Sequence, residues 1–191
     1  PKLRRWWCPS QTNRALVTAA STIIHGQPVE LVEEYKYLGT TFDHLLKFAS
    51  NTEDILRKCQ QRLYLLRKLN SFGVRKDILL TFYHSFIESA ITFSIPCWFY
   101  SVSLQYRNLL QSTVKVCSRI IGLPLRNLTS QCDQHTGSLA QKIVKDPSHP
   151  LHTVLEWLPS KRRLRCPCCK TQRRRRSFVP RAVLLLNPQC R

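Results

Sequence analysis

Closely spaced carboxylates are what two-metal nucleotide chemistry would need, because the attacking and leaving oxygens both require charge neutralisation. Two adjacent pairs occur, Glu33-Glu34 and Glu53-Asp54. The first precedes a strand-forming stretch, and the second falls in the first turn of a helix, where acids stabilise the positive end of the macrodipole. Neither pair offers a metal cage, so no catalytic residue is assigned and no enzyme activity is expected of this chain. All five glycines are isolated, which leaves no phosphate-cradling loop, and no Ser/His/Asp order is legible.

Metal ligands are the next possibility. His149-x-x-His152 and Cys166-x-Cys168-Cys169 are separated by thirteen residues, which matches a zinc knuckle in ligand type. A C-x-C-C order lacks the paired C-x-x-C spacing of such sites. No metal or cofactor is assigned, and His149, His152, Cys166, Cys168 and Cys169 are the residues a structural zinc would use.

The remaining chemistry is electrostatic. Thirty Lys and Arg against eleven Asp and Glu give a net charge of +19, which points to polyanionic partners. RNA or DNA is the expected partner. Arg57, Lys58, Arg62, Arg67 and Lys68 crowd one helix-forming stretch, preceded by the aromatic strand Tyr35-Lys36-Tyr37-Leu38-Gly39-Thr40-Thr41. Beyond Glu156 there is no acid, while eleven cations follow it, including the run Arg173, Arg174, Arg175 and Arg176. The expected nucleic-acid-binding residues are therefore Tyr35, Tyr37, the five helix cations and these four arginines. A run of this kind also serves as a localisation signal.

These residues need elements to hold them. Residues 1–20 are of mixed character and stay unassigned. Thr22 to His25, a turn at Gly26-Gln27-Pro28, and Val29 to Val32 read as a short hairpin, with Tyr35 to Thr41 as a third strand. Together they make a β element over 21–48.

Ser50-Asn51-Thr52-Glu53 has capping-box spacing and predicts a helix start; Gly73 predicts its end. Ile55, Cys59, Leu63 and Leu66 share the apolar face of that helix, opposite Arg57, Gln61, Tyr64 and Lys68. A second helix is expected from Asp77 to about Phe93, ended by Pro96. A third is expected after Ser103, with Leu109, Leu110, Val114, Cys117, Ile120 and Ile121 on its apolar face and Gly122 and Pro124 beyond it. The fold class is thus mainly α: a three-helix, thumb-type bundle over 50–124 behind a small β-hairpin/strand element. A polar connecting region, 125–160, reads as a loop or short helices, and 161–191 as a flexible Arg/Cys-rich tail.

Nine cysteines are an odd number, no signal peptide is visible, and Cys59, Cys97 and Cys117 fall on apolar helix faces. That favours core roles for the three and a reducing, intracellular setting, nucleus or cytoplasm. The longest apolar stretches are broken by Asp77, His84, Glu88 and Pro96, so no membrane partner is expected. The chain has no Met and starts at Pro1, which reads as the tail of something longer.

Two family resemblances follow. Tyr35-Lys36-Tyr37-Leu38-Gly39 with Phe42-Asp43 resembles the primer-grip strand of LINE-type (non-LTR) retrotransposon reverse transcriptases. Arg62 to Leu69 with Ser71-Phe72-Gly73-Val74 resembles their first thumb helix. Phe82-Tyr83, Ser89-Ala90-Ile91, Cys97-Trp98, Ile120 to Leu125, His149-Pro150-Leu151 and Arg176 to Val183 through Asn187 follow in the same order. The resemblance implies a thumb and C-terminal region that grips primer and template, an RNA-directed DNA polymerase fragment cut away from its catalytic aspartates. A non-functional translated fragment is the alternative it leaves open.

The helix from Thr52 to Gly73 is also similar to a segment at the N-terminus of AlkB-like tRNA modification proteins, which join an iron and 2-oxoglutarate dioxygenase to a methyltransferase. None of the six histidines is followed two positions later by Asp, as that iron site requires, and no Gly-rich methyl-donor turn is present. This second resemblance implies a shared helix without either activity.

Overall fold

In the computed structural model, residues 4–6, 23–24, 27–160 and 162–187 are described. The chain is mainly helical, with short strands ahead of the helices. Strand β1 (Arg4–Trp6) runs parallel to β4 (Glu30–Val32), and β2 (Ile23–Ile24) pairs antiparallel with β3 (Gln27–Pro28). Gln27 and Pro28 therefore belong to a strand and not to the expected turn, whose Gly26 lies outside the described residues, as does His25 of the expected first strand. The unassigned stretch 1–20 is described only at β1.

The aromatic strand is shorter than its composition suggests. It divides into β5 (Glu34–Tyr37) and β6 (Thr40–Asp43), which pair antiparallel with Tyr35 opposite Phe42 and Tyr37 opposite Thr40. Leu38 and Gly39 make the turn with φ of 45° and 88°. Two positive φ angles are what a two-residue hairpin needs to match strand twist.

Helix α1 (Ala49–Ser71) follows, but not through the capping box. Phe48 at the N-cap is left-handed, the Ser50 hydroxyl donates to Glu34, and Glu53 accepts from the Tyr106 hydroxyl. Asp43 organises the entry instead: its carboxylate accepts from the backbone N–H groups of Leu45, Lys47 and Phe48 at 3.0, 3.0 and 2.5 Å. Phe42 and Phe48 then meet edge to face at 5.5 Å. At the far end Gly73 has φ of 71° and donates to the Asn70 carbonyl at 3.0 Å, as a left-handed helix terminus should.

The second helix is continuous in path but changes pitch. Helix α2 (Lys76–Phe82) widens into a π-helical turn, Tyr83–Glu88, and resumes as α3 (Ser89–Thr92). Its stop is Ser94, at φ 51°, two residues before the proline. Pro96 opens the short helix α4 (Ile95–Trp98), where its missing N–H costs nothing. By length and composition 76–98 is apolar enough to cross a membrane, with mean hydropathy 1.3, although interruptions were expected to exclude that. In the fold it bends at Ser94 and sets Tyr83, Ile87, Ile91, Ile95 and Trp98 into the core.

Helix α5 (Leu104–Ile121) has the expected ends: Ser103 Oγ accepts from Tyr106 N at 3.4 Å and Gly122 closes at φ 73°. It packs on α1. Cys59 and Cys117 are buried with Leu66, Leu110 and Val114, whereas Cys97 is exposed on α4, so its expected core role does not hold.

The polar region after Leu125 is not a loop. Asn127 accepts from Thr129 N at 2.8 Å and starts α6 (Leu128–Lys145). Its buried stripe, Leu128, Cys132, Thr136, Ala140 and Ile143, has helical spacing. Within the tail expected to be flexible, the short helix α7 (Gln172–Arg176) leads into α8 (Phe178–Leu186). Ala182 and Val183 of α8 join Ala140, Ile143, Leu155 and Leu164 in a second, smaller core. Asn187 ties its end to Leu164, accepting at 2.8 Å and donating at 3.1 Å.

Candidate nucleic-acid interface

Three elements meet around the basic face of α1. The β5–β6 hairpin is pinned to the helix where Asn51 Oδ1 accepts from Thr41 N at 3.1 Å. Across α1, Arg62 Nη1 donates to the carbonyl of Phe86 in the π-helical turn. Between hairpin, α1 and α3 lies a cleft of about 380 Å³, lined by Thr40, Asn51, Lys58, Arg62, Ser89 and Phe93 among others.

That cleft is basic, with Lys58 and Arg62 in its lining. Its lining contains no acid. Because the Asn51 carbonyl oxygen is committed to Thr41, the amide orientation is set, and its buried Nδ2 has no partner among the described residues. An unpaired buried donor is costly unless a ligand satisfies it. Lys58 and Arg62 supply charge at the same place, and Arg62 is held in position by Phe86, leaving further N–H groups of its guanidinium for a ligand.

Around the cleft the other candidates divide. Arg57 pairs with Asp54 at 3.2 Å, and both are well exposed. Among the described residues no carboxylate lies within ion-pair distance of Lys58, Arg62, Arg67 or Lys68. Lys68 sits over the Phe72 ring, 5.9 Å from its centre. Tyr37 is exposed on the hairpin, while Tyr35 is half-buried and less available for contact.

The tail arginines do not join this face as one group. Arg173 donates to the carbonyl of Leu45 in the loop that enters α1. Arg175 Nε donates to the Cys169 carbonyl at 3.4 Å, and Arg174 lies in α7 capped by Thr171. Arg176 approaches Arg107, whose pKa is lowered by burial first and by this like charge second.

The five zinc candidates do not converge. Among the described residues no group of three or more His, Cys, Asp or Glu is placed to hold a metal ion. His149 Nδ1 accepts from Leu151 N at 3.0 Å, and His152 Nδ1 lies 3.0 Å from the Ile143 carbonyl, so both imidazoles serve local structure. Cys166 and Cys168 are exposed.

Sequence reasoning missed Asn51 and Ser89 as cleft residues. Asn51 stood inside an apparent capping box, and nothing in local spacing marks a residue that meets its partners only through tertiary packing.

Residues 48–89 match a family model described as alkylated DNA repair protein alkB homolog 8, N-terminal. This corrects the polymerase assignment: the segment that resembles a reverse-transcriptase thumb helix matches the alkB homolog 8 N-terminal region instead, and nothing found supports a reverse transcriptase. The match covers less than half of the chain. No curated protein and no solved structure matches it.

Proposed function

We propose that this chain is a non-catalytic helical module that holds nucleic acid through the face of α1, the helix that, with α2 and the π-helical turn, is similar to the alkB homolog 8 N-terminal region. Backbone phosphate seats in the cleft against Lys58, Arg62 and the Asn51 amide, with Arg57, Arg67 and Lys68 extending the contact along α1. The single observation that carries this reading is the acid-free cleft in which two cations flank a buried, unpartnered amide donor. A net charge of +19 draws a polyanion towards it. Its place is inside the cell, with RNA or DNA as partner and no metal required.

The test is binding of a fluorescent single-stranded RNA, and of the matching DNA, by the whole chain and by a variant carrying Arg57→Glu, Arg62→Glu and Lys68→Glu. The reading expects affinity to fall on the order of 100-fold or more in the variant while helicity is retained, with a shallower salt dependence. Equal affinity in a folded variant overturns it.

A further inference from the structure

Phe93 ends α3 on a backbone that is fixed from both sides. Its N–H donates to the Ser89 carbonyl at 3.1 Å, and its own carbonyl accepts from the indole Nε1 of buried Trp98 at 3.0 Å. Beyond it the chain leaves the helix at once, since Phe93 has a ψ of 121° and Ser94 a left-handed φ of 51°. The point from which the ring projects is therefore set by main-chain geometry.

The ring itself is not buried by that geometry, for Phe93 remains 51% exposed. Both anchoring bonds use main-chain atoms of Phe93, so a polar side chain at this position would leave them intact. What the phenyl adds lies in its surroundings. It lines the basic cleft together with Lys58 and Arg62, and its Cε1 and Cζ lean on the hairpin turn, where a Cβ on Gly39 would stand 3.4 and 3.8 Å from them. Among the described residues no other aromatic ring and no cation stacks on it.

A phosphate accounts for Lys58 and Arg62 but gives a half-exposed phenyl ring nothing to do. A nucleotide supplies both partners, because its charged backbone joins a flat base whose π-face stacks on an aromatic side chain whatever the base. Bases inside a duplex already stack on their neighbours. Only a single strand can turn one out onto a protein ring without first unpairing it.

We propose that Phe93 is a stacking platform for one base of a single-stranded nucleic acid whose adjoining phosphate is held by Lys58 and Arg62. The proposal rests on the nucleic-acid-binding reading and narrows its substrate to unpaired strands, bound with little preference for sequence.

The experiment compares a labelled ten-nucleotide single strand with an otherwise identical strand of abasic sites, which keeps every phosphate and lacks every base, both bound to the whole chain. The base-bearing strand should bind about tenfold tighter, the scale of one base stacked on an aromatic ring. In Phe93→Leu that ratio, read within the one protein, should drop towards one while the slope of log affinity against log salt stays as it was. Phe93→Trp should keep or raise the ratio. Lys58→Met should do the reverse of Phe93→Leu, shrinking the slope and keeping the ratio. Salt-dependent binding of both strands with equal affinity overturns the platform and leaves the backbone reading standing. A full tenfold ratio in Phe93→Leu also overturns it. Failure to bind either strand at low salt overturns both readings together.

Discussion

Arg181 of α8 bonds to Asp133 of α6 while its guanidinium lies over the Tyr100 ring, 4.1 Å from the centroid. The Tyr100 hydroxyl completes the triangle, donating to Asp133 Oδ1 at 2.8 Å and accepting from Arg181 Nη2 at 2.7 Å. The C-terminal helix is thereby tied to both cores. Burial first, and the hydrogen bond to Asp133 second, push the Tyr100 pKa up, so the phenol stays protonated and remains a donor.

Asp133→Asn should lower stability by about 1–2 kcal/mol, less than a fully buried ion pair because both side chains keep over a quarter of their exposure. Tyr100→Phe should cost less, since the ring still packs. In a double-mutant cycle by urea unfolding, the two losses should fail to add, because they remove edges of one network. Strict additivity would mean that the three side chains act separately.

Lys58 makes a sharper probe of the basic cleft than the whole face does. Replacing it with Met removes one phosphate contact while keeping the aliphatic stem, so the slope of log affinity against log salt should shrink by about 0.7 to 0.9. Arg57→Met should shrink it less, as Arg57 already pairs with Asp54. Equal changes would show that the cleft has no privileged role.

The buried thiols make stability pH-dependent. Burial pushes Cys59 up to about 11 and Cys117 and Cys132 up to about 12, from an ordinary value near 9. In each case the folded pKa lies above the unfolded one, so the contribution is whole below about pH 9 and is lost as pH rises towards 11 to 12. Each thiol then costs at most about 1.4 kcal/mol per pH unit. Urea midpoints should hold steady from pH 7 to 8.5 and fall beyond 9. Cys117→Ala should start lower and fall less steeply. A thiol reagent at pH 8 should label Cys166 and Cys168 in the folded protein and reach Cys59, Cys117 and Cys132 only after unfolding.

Legibility in the sequence followed how local each cause was. Helix α5 was readable at both ends because Ser103 and Gly122 act on their own neighbours. Helix α6 was not, because two of its buried positions, Gln131 and Thr136, are polar and hide the stripe from a hydrophobic count. The Ser50 and Glu53 pattern misled for a related reason: both side chains found partners in other elements, Glu34 and Tyr106. Basic residues of α1 could be picked out by charge alone. The cleft that ranks them could not, since Asn51, Ser89 and Phe93 come together only through the hairpin and the π-helical turn.

The hairpin turn yields two predictions of opposite sign. Leu38 holds a left-handed φ of 45° with its side chain 76% exposed, so it bears backbone strain without compensating burial. Asn tolerates that conformation and favours this turn before Gly, so Leu38→Asn should raise stability by about 0.5–1 kcal/mol. Gly39 is also left-handed, and a Cβ there would sit 3.4 Å from Phe93 Cε1 at the wall of the basic cleft. Gly39→Ala should therefore lower stability by about 1 kcal/mol or more. Phe93 would also have to give way, which should weaken RNA binding, whereas Leu38→Asn should leave affinity unchanged. Urea unfolding and RNA titration on the two variants check both signs, and stabilisation by Gly39→Ala would refute the turn geometry.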